Sequence, residues 1–239
     1  MALSPKAHNF CSYFIAACIY SATAYSRGVH KNGAGNFNGF LACLLWTLHF
    51  ARRAFETLRL FKFSAKSVPV SDSLQEFLYY WIFSWLIAST VDVARPMPGW
   101  QQALGAVVWL LAEGCNAACH NTLSGLKKTQ EERSFPPAGG RFLFGACACP
   151  HYLFEILSWI GFNVATGFCT AGCVFAAVGA VIMTCYANER HEHYKKLFDG
   201  VGGRPLYPKE RTPIFPFLDL RPPSMLVEVF QAVLWFIAG

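Results

Sequence analysis

Charge is scarce in this sequence: Asp, Glu, Lys and Arg together make up 14% of its 239 residues, against 54% hydrophobic residues. A soluble domain of this size could not hide so much apolar surface from water. The composition excludes an ordinary globular enzyme and points to a multi-span membrane protein. The familiar nucleotide signatures are missing too. There is no G-x-G-x-x-G after a strand, no P-loop and no G-x-S-x-G elbow, so any nucleotide would be held by helices rather than by a Rossmann unit. No C-x-x-C pair occurs, and Cys115/Cys119 and Cys147/Cys149 lack the second half of a zinc site, so no metal is expected. Of the ten cysteines, Cys11, Cys18, Cys43, Cys169, Cys173 and Cys185 lie within apolar runs and read as small hydrophobes. Internal repeats and low-complexity segments are absent. The net charge is +6, but the basic residues are not interleaved with aromatics on a soluble face, which argues against a nucleic-acid partner.

What is present is a series of apolar runs, at roughly 10 to 25, 37 to 58, 76 to 92, 100 to 123, 141 to 165 and 168 to 187. They predict an all-α, polytopic membrane helical bundle of about six transmembrane helices. The opening "MALSPKAHNFCSYFIAACIYSATAY" has a weak n-region and no clear cleavage site, so it reads as a retained first span. The last stretch, "SMLVEVFQAVLWFIAG", is too short for a span and reads as a short C-terminal apolar helix at the interface. Alternate connections are basic, carrying Arg59, Lys62 and Lys66, then Lys127, Lys128 and Arg133, then the run from Arg190 to Arg211. The opposite connections hold only Arg27, Lys31 and Arg95. The positive-inside rule then puts the basic loops and both termini in the cytosol, gathering the polar helix ends at one face.

Four polar constellations interrupt the apolar runs. In "LHFARRAFETL", His49, Arg52, Arg53 and Glu56 share one helical face, as a snorkelling helix end with an internal salt bridge or as the charged lining of a pocket. In "EGCNAACHNTLSGLK", Asn116, His120 and Lys127 lie within about 40° of one another, as a polar seam between helices or as part of a site. "CPHYLFEILSWIGFN" brings His151, Tyr152 and Glu155, followed by Trp159 and Asn163, into an apolar run. A glutamate there needs a donor, from a protein cation or from a ligand. "ANERHEHYKKLFDG" leaves the membrane with Arg190, His191, Tyr194, Lys195 and Lys196, and Arg211 follows. Anionic lipid or a phosphate-rich nucleotide would suit that run.

At these residues the sequence resembles the steroid 5-alpha-reductase superfamily, and within it the trans-2-enoyl-CoA reductases of very-long-chain fatty acid elongation. "HFARRAFETLRLFKFS" is similar to the family's H-[YF]-x-K-R-x-x-E-T-x-F-x-H-x-F-S, and "YYW" at 79 to 81 and Asn116 with His120 follow in order. "CPHYLFE...WIGF", "HEHYKKLFDG" and "LYPKERTPIFPF" match the later blocks. The resemblance implies NADPH-dependent reduction of the C2=C3 bond of a long-chain trans-2-enoyl-CoA, the last step of each elongation cycle, in the endoplasmic reticulum membrane with the site facing the cytosol. Hydride adds to C3, the thioester oxygen takes up enolate character, and C2 takes a proton. Tyr152 matches the family's proton donor, whose phenol needs cationic neighbours. Arg52 stands where the family has Lys, as a candidate to orient Tyr152 or the thioester carbonyl, with His49 and Glu56 beside it in the motif. Asn116, Lys127, His151, Glu155, His191, Tyr194 and Arg211 match positions lining the NADPH site, Glu155 suiting the carboxamide and Lys127 and Arg211 the phosphates. His151 replaces a usual Asn and Lys127 a usual Arg. Phe50 stands where the steroid reductases have a tyrosine, which favours enoyl-CoA over steroid. The family's common N-terminal ubiquitin-like domain is not in this sequence. The expected organisation is a membrane segment and loop at 1–36, the catalytic membrane domain at 37–220 and an apolar extension at 221–239. Substrate, membrane lipid and other elongation enzymes are the partners implied. Reduction of another enone, a steroid or a polyprenal, and a non-catalytic membrane scaffold of the same fold are the alternatives.

Overall fold

In a computed structural model that describes residues 2–30, 37–61, 63, 67–126, 143–203 and 205–220, the chain is helical almost throughout. Helix α1 (Pro5–Ser26) starts five residues before its apolar run, because Ser4 caps it through Ala7 N at 3.1 Å and proline takes the first helical position. Helices α2 (Phe37–Arg59), α3 (Val70–Thr90), α4 (Gly99–Leu126), α5 (Pro150–Thr166) and α6 (Thr170–Leu197) follow. The only strands among the described residues are β1 (Ala2–Leu3) and β2 (Val68–Pro69), a two-residue antiparallel pair. The ten cysteines are free thiols.

Two helices depart from their apolar runs. The run from 141 predicts a helix start that the structure moves to Pro150, after turns at 143 to 146; the fixed φ of proline suits the first helical position. His151, Tyr152 and Glu155 therefore occupy the first two turns of α5. Helix α6 continues ten residues past the end of its run, because hydropathy reports preference for lipid and not where backbone hydrogen bonding stops. The C-terminal apolar segment at 221–239 lies outside the described residues.

Helices α4 and α6 are long and apolar enough to cross a bilayer. At 28 residues each they rise about 42 Å. Only 17% of the apolar window of α6 is buried within the protein. Helix α2 is built inside out by the standard of a soluble helix. Asn38, His49, Arg53 and Glu56 are buried, while Phe40, Leu48 and Phe55 are exposed. Charge inside and large apolar side chains outside fits hydrocarbon as the surrounding medium, and together these features mark a membrane protein.

The chain forms two units. The first comprises the described residues of Met1–Leu111 and Ser158–Ala176. In it α1 packs on α2 and α3, with Ala16, Ala17, Ala24 and Ala42 buried where the helices meet. Its core centres on Trp46, ringed by Tyr20, Phe50, Trp159, Phe162 and Phe175 at centroid distances of 5.0 to 5.7 Å. Arg27 and Arg95, the cations of the charge-poor connections, bind helix-terminal carbonyls. Arg27 Nη1 donates to Ala88 O and Val91 O at 2.8 and 2.6 Å, and Arg95 Nη1 to Gly167 O at 2.6 Å. Each thus satisfies and counter-charges a helix C-terminus.

Helices α4 and α5 touch backbone to backbone within this unit. A Cβ on Gly105 would lie 2.3 Å from Ala165 N, and one on Gly161 would lie 2.6 Å from Trp109 N. Such approach is what small residues four apart permit in membranes. We expect Gly105→Val to destabilise the protein by about 3 kcal/mol or more, because backbone and not a flexible side chain must yield. Gly114→Ala on the same helix, with open space around it, is the control and leaves stability unchanged or raised. Thermal midpoints in detergent, followed by tryptophan fluorescence, distinguish the two; equal midpoints would refute the close approach.

The second unit comprises the described residues of Ala112–Leu157 and of 177–220. Here the segment before α5 is zipped to the chain beyond α6. Ala148 N donates to Thr212 O at 2.8 Å, Cys149 N to Pro213 O at 3.0 Å and Thr212 N to Ala146 O at 3.1 Å. Cys149, Ile156, Ala187, Phe198, Tyr207 and Ile214 form its core.

Candidate functional site

The second unit gathers most of the expected site residues. Asn116, fully buried on α4, donates through Nδ2 to His151 O at 2.7 Å and lies 3.4 Å from Glu155 Oε2. One amide thereby holds the first turn of α5 and orients the carboxylate. His120 lies one turn further along α4, its ring 5.7 Å from that of His151, which in turn is 4.2 Å from the Tyr152 ring. Tyr152 is half-buried, and its hydroxyl has no hydrogen-bond partner among the described residues. Lys127 lies outside the described residues.

A second group within this unit comes from the end of α6 and the segment beyond it. His191 Nδ1 is 3.2 Å from the Tyr207 hydroxyl, the Arg211 guanidinium carbon is 5.5 Å from the Tyr207 ring centroid, and the Tyr194 ring is 5.8 Å from that of Tyr207. His191, Tyr207 and Arg211 are buried. Burial pushes the Tyr207 phenol above its ordinary range, an effect the Arg211 guanidinium only partly offsets. Burial lowers Arg211 from its usual value, yet a guanidinium stays charged at neutral pH. The result is a protonated phenol between a cation and an imidazole, able to donate its O–H to the ring nitrogen.

In the first unit, α2 carries the other expected group. Glu56 is buried and receives two guanidiniums. Arg52 Nη1 donates to Oε1, and Arg53 Nη1 lies 3.1 Å from Oε2. Arg53 also reaches the Tyr13 hydroxyl at 3.3 Å, and its guanidinium carbon sits 5.1 and 5.5 Å from the ring centroids of Tyr13 and Phe61. His49 is buried against Trp159, with centroids 4.4 Å apart. Phe50 is fully enclosed in the aromatic core and brings no hydroxyl there. Asn163 holds a turn, donating to Trp159 O and Gly172 O at 2.9 and 3.1 Å.

The sequence assigns no individual role to three residues of these groups. Tyr207 falls within the last matched block, Tyr13 within an apolar run, and Arg190 is one cation among several in a basic run. Its guanidinium carbon lies 6.0 Å from the Tyr152 ring centroid. Only the "LYP" of the last motif hinted at Tyr207; nothing local marks the other two.

These features define a helical membrane protein whose polar side chains cluster at helix ends around tyrosines and arginines. The chain belongs to the 3-oxo-5-alpha-steroid 4-dehydrogenase family, whose model matches residues 66–218. A very-long-chain enoyl-CoA reductase of Dictyostelium discoideum is 30% identical over 208 residues, 86% of this chain and 64% of that protein. A Bos taurus protein named trans-2,3-enoyl-CoA reductase-like is 28% identical over 185 residues, 74% of this chain and 49% of its own length. Polyprenal reductase 1 of Oryza sativa subsp. indica is 29% identical over 136 residues, 56% of this chain and 36% of that protein. The chain thus spans less than two thirds of each of these relatives.

Proposed function

We propose that this protein reduces the C2=C3 double bond of long-chain trans-2-enoyl-CoA with NADPH, as the final step of a fatty acid elongation cycle. The observation that carries this reading is Tyr152. Its half-buried phenol sits in the first turn of α5 with a hydroxyl that no described residue engages, beside an oriented carboxylate and amide. The relatives named as enoyl-CoA reductases support it, and so does Phe50, which offers no hydroxyl to a steroid carbonyl.

The donor set fits a reduced nicotinamide dinucleotide. Asn116 and Glu155 pair an amide with an acceptor suited to a carboxamide, and Arg211, with His191 and Tyr194, brings cationic and hydroxyl donors suited to phosphate. We assign His151 and Lys127 to the same cofactor by their place in the motifs. When bound, the cofactor supplies the hydride that reaches C3. Tyr152 then gives its proton to C2. We assign Arg52 and His49 to catalysis by their place in the motif alone, with Glu56 holding Arg52 in place. The same reading makes the protein a multi-pass resident of the endoplasmic reticulum membrane with its chemistry on the cytosolic side, alongside other elongation enzymes.

Purified protein in lipid nanodiscs tests the proposal. NADPH oxidation on addition of a trans-2-enoyl-CoA of about sixteen carbons, with the saturated acyl-CoA identified by mass spectrometry, is the expected result. The polyprenal reductase relative supplies the second reading. Oxidation with a polyprenal and none with enoyl-CoA would replace the first reading by the second, and absence of NADPH binding would favour a non-catalytic scaffold.

A further inference from the structure

Arg190 is a cation of the second unit whose surroundings are phenols and a thiol. It leaves the polar end of α6 with its side chain exposed, and its guanidinium carbon faces the Tyr152 ring from 6.0 Å, within cation–π range. Its other electrostatic neighbours are Cys149 and Tyr194, neutral groups at neutral pH. No carboxylate pairs with it among the described residues: Glu192, two positions on, is bound by Lys195 at 2.9 Å. Four other arginines are neutralised by a carboxylate or bound to carbonyls. Arg52 and Arg53 share Glu56, and Arg27 and Arg95 hold helix termini. The charge of Arg190 is left to act on the Tyr152 phenol.

We propose that Arg190 is a positioning residue for proton transfer, holding the Tyr152 ring under its guanidinium and stabilising the negative charge that the phenol acquires when it gives up its proton. This rests on the assignment of Tyr152 as proton donor to an enoyl-CoA. In that step the Tyr152 O–H bond breaks as the C2–H bond forms. The electron pair held between C2 and the thioester oxygen becomes the new C–H bond, the thioester carbonyl is restored, and a phenolate remains. Water then returns a proton to the phenolate. A cation about 6 Å away lowers the energy of the phenolate and leaves the neutral phenol almost untouched, so its effect is confined to the step in which charge develops. The resemblance called for a cationic neighbour to this tyrosine; the geometry assigns one from a different helix, 38 residues further along the chain.

The test uses the full chain in nanodiscs, with Arg190→Ala, Arg190→Lys and Tyr152→Phe compared with wild type. Arg190→Ala is expected to lower kcat on the order of tenfold to a hundredfold, with KM for enoyl-CoA and the affinity for NADPH nearly unchanged. The solvent deuterium isotope effect on kcat should rise, because proton transfer becomes slower than the other steps. Arg190→Lys should retain most of the activity. Added guanidinium chloride at millimolar concentration should restore part of the Arg190→Ala rate and none of the Tyr152→Phe rate, a response that a folding defect would not show. Wild-type kcat in Arg190→Ala, or a loss carried by NADPH affinity with no guanidinium rescue, would overturn the inference while leaving the assigned reaction standing. A wild type that reduces no enoyl-CoA removes that reaction and the inference with it.

Discussion

Tyr152→Phe is expected to lower kcat for enoyl-CoA reduction by at least about a hundredfold while NADPH binds almost as before. General acid catalysis by a positioned side chain contributes on the order of 10²–10⁴-fold, and phenylalanine has no proton to give. The substitution is conservative in every other respect. The hydroxyl it removes has no hydrogen-bond partner among the described residues, so no internal bond is broken. The ring remains to pack against the unit's core and under the Arg190 guanidinium. The amide and carboxylate of Asn116 and Glu155 lie on other side chains and keep their contact. Single-turnover measurement of NADPH oxidation, beside a fluorescence titration of NADPH, separates chemistry from binding. Turnover within about threefold of wild type would remove Tyr152 from the reaction.

Glu56→Gln is expected to cost about 3 kcal/mol of stability, through two cations left without their carboxylate. The side chain of Glu56 is 3% exposed, and it is bound by Arg52 and Arg53, whose side chains are 20% and 10% exposed. Removing one member of a buried ionic group leaves the desolvation penalty of the others in place, which is why a broken pair costs more than an absent one. Arg52, the more exposed, can turn toward water. Arg53 is held between the Tyr13 and Phe61 rings and has less freedom to do so. For a chain of this length the thermal midpoint should fall by roughly 6–12 °C. Combining Glu56→Gln with Arg53→Met, which removes the more buried of the two cations and keeps an apolar stem, should recover part of the loss. A single variant as stable as wild type would show that the carboxylate does not hold the two guanidiniums together.

The helices were legible because lipid demands long apolar runs. The run at 37 to 58 became Phe37–Arg59, and the run at 100 to 123 became Gly99–Leu126. Their ends were less so. The apolar residues from 141 suggested helix, yet the backbone before Pro150 pairs with the segment around Thr212, more than 60 residues away, and no local pattern announces such a partner. The polar motifs likewise identified which residues to examine without saying what each would touch. Asn116 and His120 read as one face of a helix; that the amide of Asn116 would bind the carbonyl of His151 and approach Glu155 depends on α4 and α5 lying side by side.

By itself the sequence determined the environment and the family. Its apolar content makes water an impossible solvent for most of its surface, and its ordered motifs carry the likeness that the family match affirms. Composition and spacing are local properties, summed along a chain, and they suffice for both. Tertiary structure alone decided how the charges are used. Arg52 and Arg53 are adjacent and carry the same charge, but one stays partly exposed and the other is clamped between aromatic rings. Arg27 and Arg95 read as loop charges and became caps on helix carbonyls. Arg190, one cation in a basic run, came to lie over Tyr152. Coulomb interaction depends on distance in space, and the distance between two helices is set by how their faces pack, not by how far apart their residues lie along the chain.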